Sequence, residues 1–431
     1  MKPNIVYIHS HDTGRYVQPY GVAVPTPHLQ RLAEQGVLLR QCFCAAPTCS
    51  PSRASLLTGM NPHAAGMIGL AHLGFELADY GRHVVHTLRS AGYRSALAGV
   101  QHVIDGGRVA RIGYDEVLPV AGGSAAEVAP VAAAFLGRSH EGPFFLSVGF
   151  TETHRPFPDV PPESARYVRP PAPTPDTPRT RRDMAGFIES ARRFDAGVGE
   201  VLAALDAAGL ADDTLVIATT DHGVAFPGAK CTLTDHGTGV MLILRGPGGL
   251  AGGKVVDGLV SQIDLFPTLC DLLGLDPPDW LEGRSMLPLI DGRADEINDE
   301  VFSEVTYHAA YEPQRAVRTR RWKYIRRFGE RVLPVMCNCD ASGSRDEWLA
   351  HGLADRPHAS EQLYDLVFDP SETNNRIDDP GLAAVAADLR GRLDAWMRRT
   401  ADPLLSGAVP PPAGARLLDP DAPTAGALRK R

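Results

Sequence analysis

The sequence predicts an α/β chain: a large, mixed but mostly parallel sheet sandwiched by helices, then a smaller C-terminal subdomain of antiparallel sheet plus one helix. Two observations carry this. Short apolar runs at 5–10, 144–150 and 214–218 each end in a polar cluster and alternate with helix-like stretches, as buried parallel strands with crossover helices do. Near Glu300 the pattern changes to hairpin-like runs and a last helix. The expected organisation is 1–299 for the main domain, 300–401 for the C-terminal subdomain, and 402–431 for an extended tail rich in Pro and Ala. A chain of 431 residues, 44% of them hydrophobic, can bury a large core.

The run 5–10 suits a central strand, and His11-Asp12-Thr13-Gly14 follows at its carboxyl end, where open α/β sheets gather ligands. Thr26-Pro27-His28 opens a helix, with Pro in the first turn. Residues 37–45 read as a strand leading to Cys49. A helix at 86–91 precedes a strand at 94–98. The strand 144–150 ends in Thr153-His154-Arg155-Pro156, and the Pro-rich stretch 156–178 is expected as a long loop over the site mouth. A helix over 182–208 leads to the strand 214–218 and then Thr220-Asp221-His222-Gly223. Residues 240–244 read as a strand, and 263–273 as a helix that Gly274 ends. Further on, 316–319 and 322–325 form a hairpin, and 363–366 leads into a helix at 382–398.

A net charge of −8 argues against a nucleic-acid footprint. The first strand follows Met1-Lys2-Pro3 directly, so no signal peptide is expected, and no apolar run has membrane-spanning length. The expected location is the cytoplasm, without a membrane partner. Seven cysteines, among them Cys42 with Cys44 and Cys337 with Cys339, lack zinc-ribbon spacing and read as reduced thiols. The abundance of Ala, Gly, Pro and Arg suggests a bacterial source. The sequence is compatible with a homo-oligomer and does not specify one.

The most informative segment reads Cys49-Ser50-Pro51-Ser52-Arg53, with Leu57-Thr58-Gly59 behind it. A buried thiol beside a helix cap would account for an isolated Cys-x-Pro-x-Arg. Packing does not require the full string. It resembles the maturation signature of the type I sulfatases, in which the cysteine is oxidised to formylglycine. The resemblance covers nearly the whole chain and is nearest the heparan N-sulfatase (sulfamidase) branch and its bacterial relatives. It implies the alkaline phosphatase-like fold and a maturation partner, the formylglycine-generating enzyme. It also implies cleavage of a small-molecule sulfate ester or sulfamate by an aldehyde hydrate formed at Cys49.

The resemblance assigns further roles. Arg53, one helical turn after Cys49, and Lys230 would neutralise the transferring group. His154 would protonate the leaving atom, and His102 would assist collapse of the covalent intermediate. A divalent ion would be held by Asp12, Asp221, His222, residue 49 and His11. The family ion is Ca²⁺, and the histidines make Mn²⁺ or Zn²⁺ plausible. Two positions depart from the family pattern: His11 stands where an acid is usual, and Val100 where a lysine is usual. Gln101, His11 or Arg15 could replace that lysine. Gln101, His72 and His308, and more loosely His63, Arg82 and Arg315, are expected at the substrate pocket. The basic run Arg318, Arg320, Arg321 and Lys323 could attract an anion, although a solvated strand edge explains it equally. Two other readings stay open: a phosphonate monoester or phosphodiester hydrolase using the same nucleophile, and a non-catalytic binding protein.

Overall fold

The computed structural model describes residues 2–422, so the last part of the expected tail, 423–431, lies outside the described residues. Eight strands form the main sheet: β1 (Asn4–Ser10), β2 (Val37–Phe43), β3 (Arg94–Gly99), β4 (Glu116–Leu118), β5 (Phe144–Gly149), β6 (Thr214–Thr220), β7 (Leu242–Arg245) and β8 (Lys254–Ser261), in the order β4-β3-β5-β1-β6-β7-β2-β8. All pairings are parallel except those of β7 with β6 and β2. β1 is central, as its apolar run predicts. Its alternate residues feed two cores: Ile5 and Tyr7 face one side, Val6 and Ile8 the other.

Helices cover both faces. The helices Pro27–Gln35 (α1), Ala125–Leu136 and Pro178–Ala207 supply Leu29, Val128 and Phe194 to one core. Cys49–Thr58 (α2), Val84–Ser90 and Leu265–Leu273 supply Leu57, Val85 and Phe266 to the other. Gly274 ends the last of these in the left-handed conformation at φ 62°. Several elements escape the sequence reading, among them β8 and the helix Gly343–Ala350. β4 is three residues long, and Ala125–Leu136 is an alanine-rich helix with an internal Pro130, marked mainly by its Ser124/Glu127 capping box.

The second sheet has the order β12-β11-β10-β9, built from β9 (Val301–Tyr307), β10 (Tyr311–Arg318), β11 (Trp322–Arg327) and β12 (Glu361–Asp365), all antiparallel. The helix Ala383–Arg399 covers it with Leu389, Leu393, Trp396 and Met397, and Trp396 stacks on Phe302 at 4.8 Å.

Several surface and pocket expectations are corrected here. The stretch 156–178 does not roof the site. Of this stretch Pro156 alone lines the cavity, and Phe157 packs on Phe187 and Phe226. The basic run is neutralised in place: Arg318 and Lys323 meet Asp235, Arg320 meets Glu296, and Arg321 meets Asp365. His63 and Arg315 lie outside the cavity. They form a buried charge cluster with Glu304 and Asp402, in which Arg315 Nε is 2.5 Å from Asp402 and 3.1 Å from Glu304. Arg82 packs over Trp280.

Removing the one guanidinium of that cluster would leave two buried carboxylates facing one imidazole. Arg315→Met is therefore expected to lower stability by about 3–5 kcal/mol. Chemical denaturation would measure it, and a loss below about 1 kcal/mol would mean that the cluster relaxes by admitting water.

Candidate active site

Because β3, β5, β1 and β6 are adjacent and parallel, their carboxyl ends share one edge of the sheet. The register pairs Ser10 with Thr220, His9 with Gly149, and Gly99 with Gly149. The turns that follow therefore bring His11-Asp12, Asp221-His222, Thr153-His154 and Val100-Gln101-His102 together. Gly99 lets the chain leave β3 so closely: its φ is 83°, and a side chain there would strike the Gly149 carbonyl. Asp12 and His102, not glycines, also take positive φ, at 50° and 57°. Such strained positions persist where the surroundings enforce them, commonly at functional sites.

Cys49 is the first residue of α2 and is buried. The helix is anchored beneath the site, since Ser52 Oγ donates to the Asp221 carbonyl at 2.5 Å. Gly59 ends α2 at φ 69°, where any side chain would meet Leu281. That explains the Gly of the Leu-Thr-Gly tail. Arg53, one turn beyond Cys49, donates to the Ser10 carbonyl at 2.7 Å, to Asp221 Oδ2 at 3.0 Å and to His9 Nδ1 at 2.5 Å. His9 went unnoticed in the sequence because it lies inside an apolar strand.

The two carboxylates are held by cations. Asp12 Oδ2 accepts from Lys230 Nζ at 2.9 Å, and Asp12 Oδ1 lies 3.2 Å from His222 Nε2. Burial pushes the Asp221 carboxyl up, but His222, Arg53 and His11 outweigh it and hold the group well below the usual carboxylate range. Burial alone would lower Lys230; Asp12 and Asp340 reverse that and keep its ammonium charged. Asp340, 3.0 Å from Lys230, lies in a loop with no motif, so sequence reasoning missed it.

The donor set fits the divalent ion that the family implies. One donor atom from each of His11, Asp12, Cys49 and Asp221 lies within 4.8 Å of the others. His222 Nδ1 donates to the Gly223 carbonyl at 3.0 Å, which leaves the Nε2 lone pair, 3.3 Å from Cys49 Sγ, available as a ligand. His11 Nδ1 is buried without a hydrogen bond, 3.2 Å from Asp221 Oδ2. The carboxylates of Asp12, Asp221 and Asp340 outnumber the cations Arg53 and Lys230, an imbalance that a divalent ion reverses.

The remaining candidates divide. A cavity of about 1390 Å³ is lined by His11, Cys49, His72, Gln101, His102, His154, Lys230 and His308. His154 Nδ1 donates to the Arg155 carbonyl at 2.6 Å, leaving Nε2 to exchange a proton. His72 stacks on His102, with Nδ1 3.2 Å from His102 Nε2. Burial, then His11 and Arg53, push His102 well below the ordinary imidazole range, so it is neutral near pH 7. Burial, then Lys230, lower His308 to about 3. Gln101 is a correction: its side chain is spent on Val103 and Ile104 of its own loop and cannot replace a cation. Arg15 is another, since it donates to the Cys42 carbonyl and packs over Phe43.

No cation therefore stands in for the lysine absent at Val100 from among those candidates. His11 does not supply one either. Burial and then Arg53 lower it to about 4, so it is neutral near pH 7. Neutral His11 in place of an acid removes one negative charge, and Val100 in place of a lysine removes one positive charge. The two departures cancel.

Comparison with known proteins gives the family. The sulfatase family model matches residues 3–275, and the model for the C-terminal part of N-sulphoglucosamine sulphohydrolase matches 229–333. The chain is similar to human N-sulphoglucosamine sulphohydrolase, with 31% identity over 88% of this chain and 87% of that one. It is also similar to an ulvan-active sulfatase of Formosa agariphila, with 28% identity over 95% and 82%. A structure determined with its substrate D-glucosamine-2-N,6-O-disulfate superposes with a TM-score of 0.74 at 16% identity, covering 93% of this chain and 99% of that one, and so shares the fold. The chain belongs to the sulfatase family.

Charge cancellation has a measurable consequence for ion binding. His11→Asp alone should tighten binding of a divalent ion, Val100→Lys alone should weaken it, and the double variant should return close to the parent, each step by about 1–3 kcal/mol. Titration calorimetry reads all three. A Val100→Lys variant that turns over faster with undiminished ion affinity would reject the compensation.

Proposed function

We propose that this sulfatase hydrolyses a sulfate ester or sulfamate on a saccharide-sized substrate, through a formylglycine made from Cys49 and with one divalent ion at Asp12, Asp221, His222 and His11. The observation that carries the proposal is Cys49 at the start of a buried helix, 3.3 Å from His222 Nε2 and 3.9 Å from Asp12 Oδ1, in one cavity with Lys230, His102 and His154. The cavity volume far exceeds one sulfo group, and the relatives named above act on sulfated sugars or are named for them. They give no support to the phosphonate or phosphodiester reading. Oxygen and imidazole donors together suit Ca²⁺ less well than Mn²⁺ or Zn²⁺.

Once present, the ion and the aldehyde hydrate supply charge stabilisation and the nucleophile. The side chains do the rest. Arg53 orients Asp221 and Lys230 orients Asp12, and both cations favour an anionic group beside residue 49. His154 Nε2 gives a proton to the departing oxygen or nitrogen. Neutral His102 takes a proton as the sulfo group is released, and His72 holds its ring. Burial raises the Cys49 thiol well above its ordinary range, so in the folded chain it is protonated and shielded. Its burial in the folded chain favours conversion by the maturation enzyme before folding.

Two measurements test this. The tryptic peptide 41–53 from protein produced with a formylglycine-generating enzyme should carry the aldehyde or its hydrate, and Cys49→Ala should lose activity by about 10³-fold or more. An unmodified cysteine in an active protein would overturn the nucleophile. His154→Ala should slow alkyl sulfates by about 10²–10⁴-fold and nitrophenyl sulfate, whose leaving group needs no proton, far less. Equal losses on both would remove His154 as the acid.

A further inference from the structure

The chain does not stop at the second sheet. Past the helix Ala383–Arg399 it returns across the main domain as a strap. Val409 is gripped by Tyr307 and Tyr311, whose hydroxyls lie 2.5 Å from its carbonyl and 3.1 Å from its amide. Ala415 and Leu417 pack on the main core, and Leu418 N donates to the Ala309 carbonyl at 2.9 Å. Asp421 meets Arg331 at 2.8 Å.

Between these anchors sits Arg416. Its amide donates to the Leu73 carbonyl at 2.8 Å, and its guanidinium to the His72 carbonyl at 2.5 Å. Arg416 lines the same cavity as Cys49. The other cations in that wall are spent: Lys230 on Asp12 and Asp340, and Arg155 on both oxygens of Asp183. Arg416 has no carboxylate within ion-pair distance among the described residues, and one carbonyl uses only one of its five donors. The cavity's other carboxylates are Asp340, which is tied to Lys230, and Asp105. A positioned guanidinium with free donors matches a planar carboxylate or a sulfo group.

Taking the enzyme to act on sulfated saccharides, as proposed above, we propose that Arg416 forms a subsite for a second anionic group of the substrate, one that is not cleaved. The substrate class is then a saccharide bearing at least two anions, and Arg416 sets specificity without touching the reacting atoms. The backbone of residue 416 braces the His72 turn through Leu73, and substitution of the side chain leaves that hydrogen bond in place.

The test measures binding to unconverted Cys49 protein, where no turnover occurs, using D-glucosamine N-sulfate and D-glucosamine-2-N,6-O-disulfate. The disulfate should bind about tenfold more tightly, since an exposed charge pair is worth about 1 kcal/mol and a bidentate one somewhat more. Arg416→Ala should abolish that preference while leaving the monosulfate affinity and the melting temperature unchanged, and Arg416→Lys should keep part of it. Equal affinities in the parent protein, a preference that survives Arg416→Ala, or no binding of either sugar would overturn the subsite. Turnover of nitrophenyl sulfate by the converted enzyme reports separately on the sulfatase chemistry, so failure of one reading does not hide failure of the other.

Discussion

The site depends on the register of β1 between its two parallel neighbours. Pairing of Ser10 with Thr220 and of His9 with Gly149 brings three strand ends to one level. The ion-binding acids and the proton-transfer histidines sit in the turns that leave those ends. A slip of one residue would turn every side chain of β1 to the opposite face, sending Ile5 and Val6 to the wrong cores. The same apolar contacts that stabilise the sheet therefore fix the spacing of the catalytic groups.

On that frame rests a dense set of buried charges. Asp221 is matched to Arg53, and Asp12 and Asp340 share Lys230. Burial of a charge is costly without a partner, so neither member can be altered alone. The two departures from the family pattern can be counted in the same terms. An acid exchanged for neutral His11 and a lysine exchanged for Val100 preserve the balance, whereas either exchange alone would not.

The second sheet and the returning strap finish what the main sheet begins. His308, Asp340 and Arg416 all come from beyond residue 300 and all face the cavity above Cys49. The chemistry belongs to the first sheet, and the later chain adds His308, Ala309, Asp340, Ala341 and Arg416 to a wall otherwise built by the main domain.

By itself the sequence determined the central strand, the doubly covered sheet, the later antiparallel layer and the family, because each rests on local patterns: short apolar runs, polar turn clusters and the string from Cys49 to Gly59. It placed Asp12, Asp221 and His222 just after strand ends, and the family resemblance named them as ion ligands. Tertiary structure alone decided the rest. Arg15 and Arg315 are polar residues whose partners are a backbone carbonyl and a remote charge cluster. No local pattern distinguishes them from residues that face a substrate. His9, Asp340 and Arg416 carry no motif, and their place in the site follows from contacts between segments up to several hundred residues apart. Those contacts are set by packing and charge pairing, to which short-range sequence patterns are blind.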